Sequence, residues 1–254
     1  MWNEILTNIF DMKNLLLISS PFYKKGKFLE HCLWAIEKFL GEPEEGRNKI
    51  LFIPYANVDG NYDDDTERVA EAFDKFGYEV VGVHMYTTGD CLADRSICCV
   101  YVGGGNTWLL RDMLDIGNLF TGIKHKVEIG DWKYIGESAG AIMACPEMLT
   151  TNSLAIVLPK RSNGFGFVSF QINPHFVVSS LISINMGETQ EAKIKQFITY
   201  NPDSQVVGLP AQSWIETREG ELMLKGCHEA FIFRKDGNDS IWRPNEVYDE
   251  VGML

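Results

Sequence analysis

The chain has 254 residues, 45% hydrophobic and 23% charged, the composition of an ordinary globular protein rather than a fibrous or low-complexity one. Its formal net charge of −12 repels phosphate backbones and anionic membrane surfaces, so neither nucleic acid nor a membrane is expected as a partner, and no apolar run approaches the ~20 residues that span a bilayer. Six cysteines without a C-x-x-C pair or metal-like spacing fit buried thiols in a reducing compartment, and a start carrying Glu4 and Asp11 but no basic region argues against a secretory signal, so the expected location is the cytoplasm.

Met12 stands directly before the first apolar run, so residues 1–12 read as an N-terminal extension and 13–254 as one α/β domain. Asn14 to Ser20 is a short apolar run suited to a strand covered on both faces. Phe28, Leu29, Cys32, Leu33, Ile36, Phe39 and Leu40 recur at helical spacing until Gly41. Lys49 to Ala56 reads as a strand. The acidic start Asp63-Asp64-Asp65 opens a helix through Phe73 and Phe76 that stops at Gly77. Tyr78 to Tyr86 and Ile97 to Val102 predict two more strands, the second running into Gly103-Gly104-Gly105. A helix follows from about Asn106, then a strand from Trp132 to Gly136 and a helix of small residues from Ala139 to Cys145.

This alternation predicts a doubly wound, mainly parallel sheet with helices on both faces. Further on, Gln171 to Phe176 and Gln205 to Pro210 read as strands flanking a helix from Glu188 to Tyr200. Ser213 to Arg234 is hairpin-rich, with a turn at Glu219-Gly220.

Three features carry chemistry. Gly136-Glu137-Ser138-Ala139-Gly140 lies between a strand and a small-residue helix, where a serine on a strained turn lifts its hydroxyl above the sheet edge and aims the Ala139 N–H at an incoming carbonyl oxygen. Gly103-Gly104-Gly105-Asn106-Thr107 ends a neighbouring strand with exposed backbone N–H groups. It suits a phosphate cradle or a second oxyanion donor, and the missing Gly-Lys-Ser/Thr favours the donor. Of five histidines, His175 alone follows the nucleophile at a strand end, behind a stiffening proline; His31, His84 and His125 fall in a helix pattern, a strand and a surface run. No third triad member stands out. Glu147 is the one acid between Ser138 and His175, and Glu137, Glu188 and Glu191 read as surface carboxylates.

Taken with Thr150-Thr151-Asn152, Gln171 to Phe176, Gly187-Glu188-Thr189 and Gly208-Leu209-Pro210, these motifs resemble the peptidase E (α-aspartyl dipeptidase) family over about residues 13 to 235. The resemblance implies Ser138 as nucleophile, His175 as base, and Gly104 or Gly105 with Ala139 as the oxyanion hole. It also implies a flavodoxin- or class I glutamine amidotransferase-like fold and cleavage of short peptides after an N-terminal aspartate, without metal or cofactor; a monomer or small homo-oligomer is expected. Ser153 stands where the family carries an aspartate, Ala211 and Gln212 where it carries a glutamate, Gln190 where it carries an arginine and Glu137 where it carries a tryptophan. Asn106, Ser153, Glu188 and Gln190 are therefore the candidates for a third member or for substrate contacts, and a weakened aspartate preference is expected. The competing expectation is a catalytically silent relative that binds a peptide or amino acid.

Overall fold

Alternation within single strands sets the layering. In the computed structural model, which describes residues 13–22, 26–87, 89–178 and 188–248, strand β1 (Leu15–Ile18) sends Leu15 and Leu17 into one apolar cluster and Leu16 and Ile18 into another. Strands β2 (Lys49–Ile53), β4 (Ile97–Val102) and β5 (Lys133–Glu137) do the same, so the centre of the sheet is buried on both faces, while the half-buried β3 (Glu79–Gly82) lies at its edge. Helices α1 (Leu33–Leu40) and α2 (Tyr62–Phe73) cover the Leu16 face. Helices α3 (Thr107–Ile116), α4 (Phe120–Glu128) and α5 (Ala139–Met143) cover the Leu17 face.

The large sheet runs β3-β2-β4-β5-β1-β8-β9, with five parallel strands and an antiparallel hairpin edge of β8 (Ser213–Arg218) and β9 (Glu221–Gly226). This is the mainly parallel sheet expected, with the hairpin turning at Glu219-Gly220 as read. A second sheet was not foreseen. It orders β11 (Ser240–Trp242), β10 (Ala230–Phe233), β7 (Val206–Leu209) and β6 (Gln171–Pro174), with β6 and β7 parallel and helix α6 (Gln190–Tyr200) between them in the chain.

Several boundaries differ for local reasons. The expected strand Tyr78–Tyr86 ends at Gly82, where the chain enters a 3₁₀ turn over Val83–Met85 and His84 bonds to Asp63 at 2.9 Å. The first helix starts at Leu33 rather than Phe28, because Leu29 has φ +53 and residues 28–32 form turns. His31 thus precedes the helix. Helix α4, containing His125, was not among the expected elements, although its buried Phe120, Ile123 and Val127 recur at helical spacing. Residues 1–12 and Gly187 lie outside the described residues. Among those described, no helix is long and apolar enough to cross a membrane.

Candidate active site

The parallel strands all end on one edge, and the chemistry-bearing turns leave from there. Ser138 follows β5 with φ +50 and ψ −103, a conformation that non-glycine residues avoid unless their surroundings impose it. Those surroundings are backbone. A Cβ on Gly140 would collide with the Val102 carbonyl oxygen, and one on Gly136 would stand 2.5 Å from the Gly140 carbonyl oxygen. The Tyr134 hydroxyl donates to that Gly140 carbonyl at 2.6 Å, and Ser138 N–H donates to Ile18 at the end of β1 at 2.9 Å. The two glycines of the motif are there because strand, turn and helix touch.

His175 arrives from the other sheet, one residue beyond β6, with φ +55. Its Nε2 lies 2.7 Å from Ser138 Oγ. Its N–H donates to Ser19 Oγ at 2.9 Å, and Ser19 in turn donates to the Leu209 carbonyl at 2.7 Å. Asn173 Nδ2 donates to the Thr150 carbonyl and to Asn152 Oδ1, while Asn152 Nδ2 donates to the Pro174 carbonyl. These bonds join the Thr150-Thr151-Asn152 and Asn173-Pro174-His175 motifs into one rim. Burial holds the imidazole below its ordinary value of 6.5, although one ring edge reaches solvent. Among the described residues no carboxylate is bonded to the other ring nitrogen, so no acid completes a triad.

Ser138 and His175 open into a cleft of about 490 Å³. Its walls include Phe28 and Arg68 on one side, and Thr151, Asn152 and Ser153 on the other. Arg68 is half exposed, bonded to Asp65 at 2.6 Å and stacked over the Phe28 ring at 5.1 Å. Neither Arg68 nor Phe28 was singled out from the sequence, since both lie in unremarkable helical patterns.

The glycine turn behaves differently from expectation. Gly105 has φ +137, and a Cβ there would strike the Ala56 carbonyl, so close packing as well as any donor role demands glycine. Gly104 N–H is already committed: it donates to Glu137 Oε1 at 3.1 Å. Glu137, expected on the surface, is 5% exposed, and its Oε2 accepts from the Tyr101 hydroxyl. Burial raises this carboxyl to about 7 from its ordinary 4.5.

The four further candidates separate. Ser153 lines the cleft, donating to the Gly105 carbonyl at 3.3 Å. Asn106 does not line it; it caps α3 by accepting from Leu109 N–H at 3.1 Å, and donates to the Leu154 carbonyl. Glu188 bonds to Gln196 outside the cleft. Gln190 is also outside. Its Oε1 accepts from Val177 N–H at 3.0 Å, and its Nε2 donates to Asn173 Oδ1 and the His175 carbonyl at 3.2 and 3.3 Å. Gln190 therefore holds the histidine arm rather than facing a substrate. Among the described residues no group of three or more His, Cys, Asp or Glu is placed to hold a metal ion.

The model of peptidase family S51 matches residues 15–225. A peptidase E of Nostoc sp. is 34% identical over 93% of this chain and 96% of its own length. One of Salmonella arizonae is 35% identical over 89% and 96%, and one of Citrobacter koseri is 36% identical over 86% and 93%. Two solved structures share the fold. One from Listeria monocytogenes EGD-e has a TM-score of 0.61 at 22% identity, covering 85% of this chain and all of its own. A peptidase from an acI-B1 Actinobacterium has a TM-score of 0.66 at 17% identity, covering 94% and 97%.

Proposed function

The chain belongs to peptidase family S51 and is a serine-type peptidase, and from that premise we propose that it hydrolyses short peptides through Ser138 as nucleophile and His175 as general base. The observation that carries this is the 2.7 Å contact between Ser138 Oγ and His175 Nε2 at the floor of the cleft. With Nδ1 carrying the proton, Nε2 takes the hydroxyl proton as Oγ attacks the scissile carbonyl carbon. It then returns that proton to the leaving amine, and water hydrolyses the acyl-enzyme by the same route. The strained Ser138 turn acts as a nucleophile elbow. The carbonyl oxygen, as it gains negative charge, faces the N–H groups of Gly105 and Ala139, the Gly104 N–H being turned to Glu137.

With no carboxylate behind His175 among the described residues, the pair works as a Ser/His dyad, its imidazole aligned by backbone bonds to Ser19 and Gln190. The substrate is a dipeptide or short peptide of the peptidase E kind, with a softened demand for aspartate. Arg68 is the one cation lining the cleft among the described residues, and Asp65 already neutralises it.

Ser138→Ala tests the mechanism. It should lower kcat about 10⁴-fold or more while leaving the thermal melt unchanged. An active-serine fluorophosphonate should label the wild type and not this variant. Near-full activity in Ser138→Ala removes the mechanism, and a wild type that neither labels nor cleaves any dipeptide of a library points to the silent ligand binder instead. For specificity, kcat/KM for Asp-, Asn- and Ala-leading dipeptides should differ by less than about 10³-fold, equivalent to ~4 kcal/mol.

A further inference from the structure

The cleft holds one buried carboxyl that the Ser138/His175 pair does not use. Glu137 immediately precedes the nucleophile, and its two oxygens bond to the end of β4 and to the turn that follows it. Oε1 accepts from Gly104 N–H at 3.1 Å and Oε2 from the Tyr101 hydroxyl on β4. A Cβ on Gly104 would stand 2.6 Å from Oε1 and 3.2 Å from Ser138 Cβ. Carboxyl, glycine turn and nucleophile are thus in mutual van der Waals range. A group wedged there sets where the Gly104 peptide points, and its charge lies beside the place where a substrate carbonyl oxygen must become negative.

We propose that Glu137 is a positioning residue for hydrolysis: neutral, it holds the Gly103-Gly104-Gly105 turn in its working orientation, and ionised, it switches the enzyme off. This rests on Ser138 being the nucleophile, with its oxyanion held between that turn and Ala139. Ionisation acts in two ways. A charged acceptor grips the Gly104 N–H roughly twice as strongly as a neutral one, which draws the turn, and with it the Gly105 donor, toward the carboxylate and away from the substrate. A second negative charge a few ångströms from the oxyanion, at an effective dielectric near 20, slows the step about 100-fold.

The groups around Glu137 set where the switch lies. From β4 faces the Tyr101 hydroxyl, whose own ionisation burial and the Glu137 charge push well up, so it keeps its proton and can accept from the neutral carboxyl as well as donate to the ionised one. From α2 face Arg68, which favours the carboxylate, and Asp65, which opposes it; ahead of α1 lies the Cys32 thiol, raised by burial and kept neutral. Burial outweighs the two hydrogen bonds and Arg68, leaving the carboxyl at about 7. The base demands the opposite state change. Burial lowers His175 below 6.5, so it remains a free base down to mildly acid pH. Activity is expected between these two ionisations, rising as His175 loses its proton and falling as Glu137 loses its own.

The test is the pH dependence, between pH 5 and 9, of kcat/KM for the fastest-cleaved dipeptide and of the rate of Ser138 labelling by a fluorophosphonate. Wild type should fall about 100-fold from pH 6.5 to pH 9. In Glu137→Gln the ratio of rates at pH 9 and pH 6.5 should rise at least about tenfold over the wild-type ratio. Tyr101→Phe, which removes a donor to the carboxylate, should move the alkaline limb to higher pH. An unchanged limb in Glu137→Gln, or a limb moved downward in Tyr101→Phe, overturns the proposal. If Glu137→Gln is silent at every pH, a carbon-13 titration of the Glu137 carboxyl in wild type decides, since a midpoint that does not coincide with the alkaline limb refutes it. Ser138→Ala separates the two readings: activity surviving in that variant removes the nucleophile, whatever the pH profile of Glu137 variants.

Discussion

Ser138 and His175, the proposed nucleophile and base, meet at 2.7 Å but are held by opposite kinds of structure. Ser138 leaves β5, which has parallel neighbours on both sides, and its turn is clamped by backbone atoms of Val102, Gly140 and Ile18. His175 leaves β6, the edge strand of the small sheet, and is held by the side chains of Ser19 and Gln190. A backbone clamp has no intermediate setting: any added atom must displace a strand or a helix. A side-chain tether can be weakened one hydrogen bond at a time, so the base, not the nucleophile, is the adjustable half of the pair.

Breaking the backbone-held half should have the largest effect. In Gly140→Ala the new methyl meets the Val102 carbonyl, which cannot move without its strand. We expect a loss of about 3 kcal/mol by urea unfolding, at the upper end of overpacking costs, together with loss of fluorophosphonate labelling while the protein is still folded. Unchanged stability and labelling would show that the helix yields and the clamp is soft.

The next effect tests the buried carboxyl between the two halves through stability alone. The folded Glu137 carboxyl sits at about 7 against an ordinary 4.5. Its contribution is therefore fully present below pH 4.5 and lost as pH rises toward 7, by an amount on the order of 3 kcal/mol. Comparing urea unfolding at pH 4.5 and pH 8, Glu137→Gln should lose less stability than wild type. Parallel losses in the two proteins would mean that the carboxyl ionises as freely folded as unfolded.

Two smaller effects probe the tethered half. Ser19→Ala leaves the His175 N–H without its buried partner, while the Leu209 carbonyl keeps the Phe176 N–H, at a cost of about 2 kcal/mol in stability. Gln190→Ala releases the His175 carbonyl, Val177 N–H and Asn173 and should lower kcat about tenfold with KM nearly unchanged, because the loss is in aligning the imidazole. An effect on KM alone would return Gln190 to the substrate side. For the same reason Gln190→Arg should not raise the preference for Asp-leading dipeptides; a rise would show that position 190 reaches the cleft after all.

Much of this was readable in the chain. The unbroken apolar run Leu15 to Ile18, glycines bracketing Ser138 and a histidine behind a proline are local patterns, each dictated by burial on both faces of a sheet or by the room that a turn leaves. They determined the parallel sheet and the Ser138 turn, and they are what made His175 the candidate base. The tertiary structure alone decided the small sheet that carries His175, the internal use of Gln190 and the burial of Glu137. Burying a carboxyl depends on which donors surround it, and for Glu137 these come from Tyr101 and Gly104, more than thirty residues away in the chain, so no local pattern around position 137 could reveal them. The same holds for Gln190, whose amide looks free in sequence and is engaged only because the first residue of α6 lies against the end of β6.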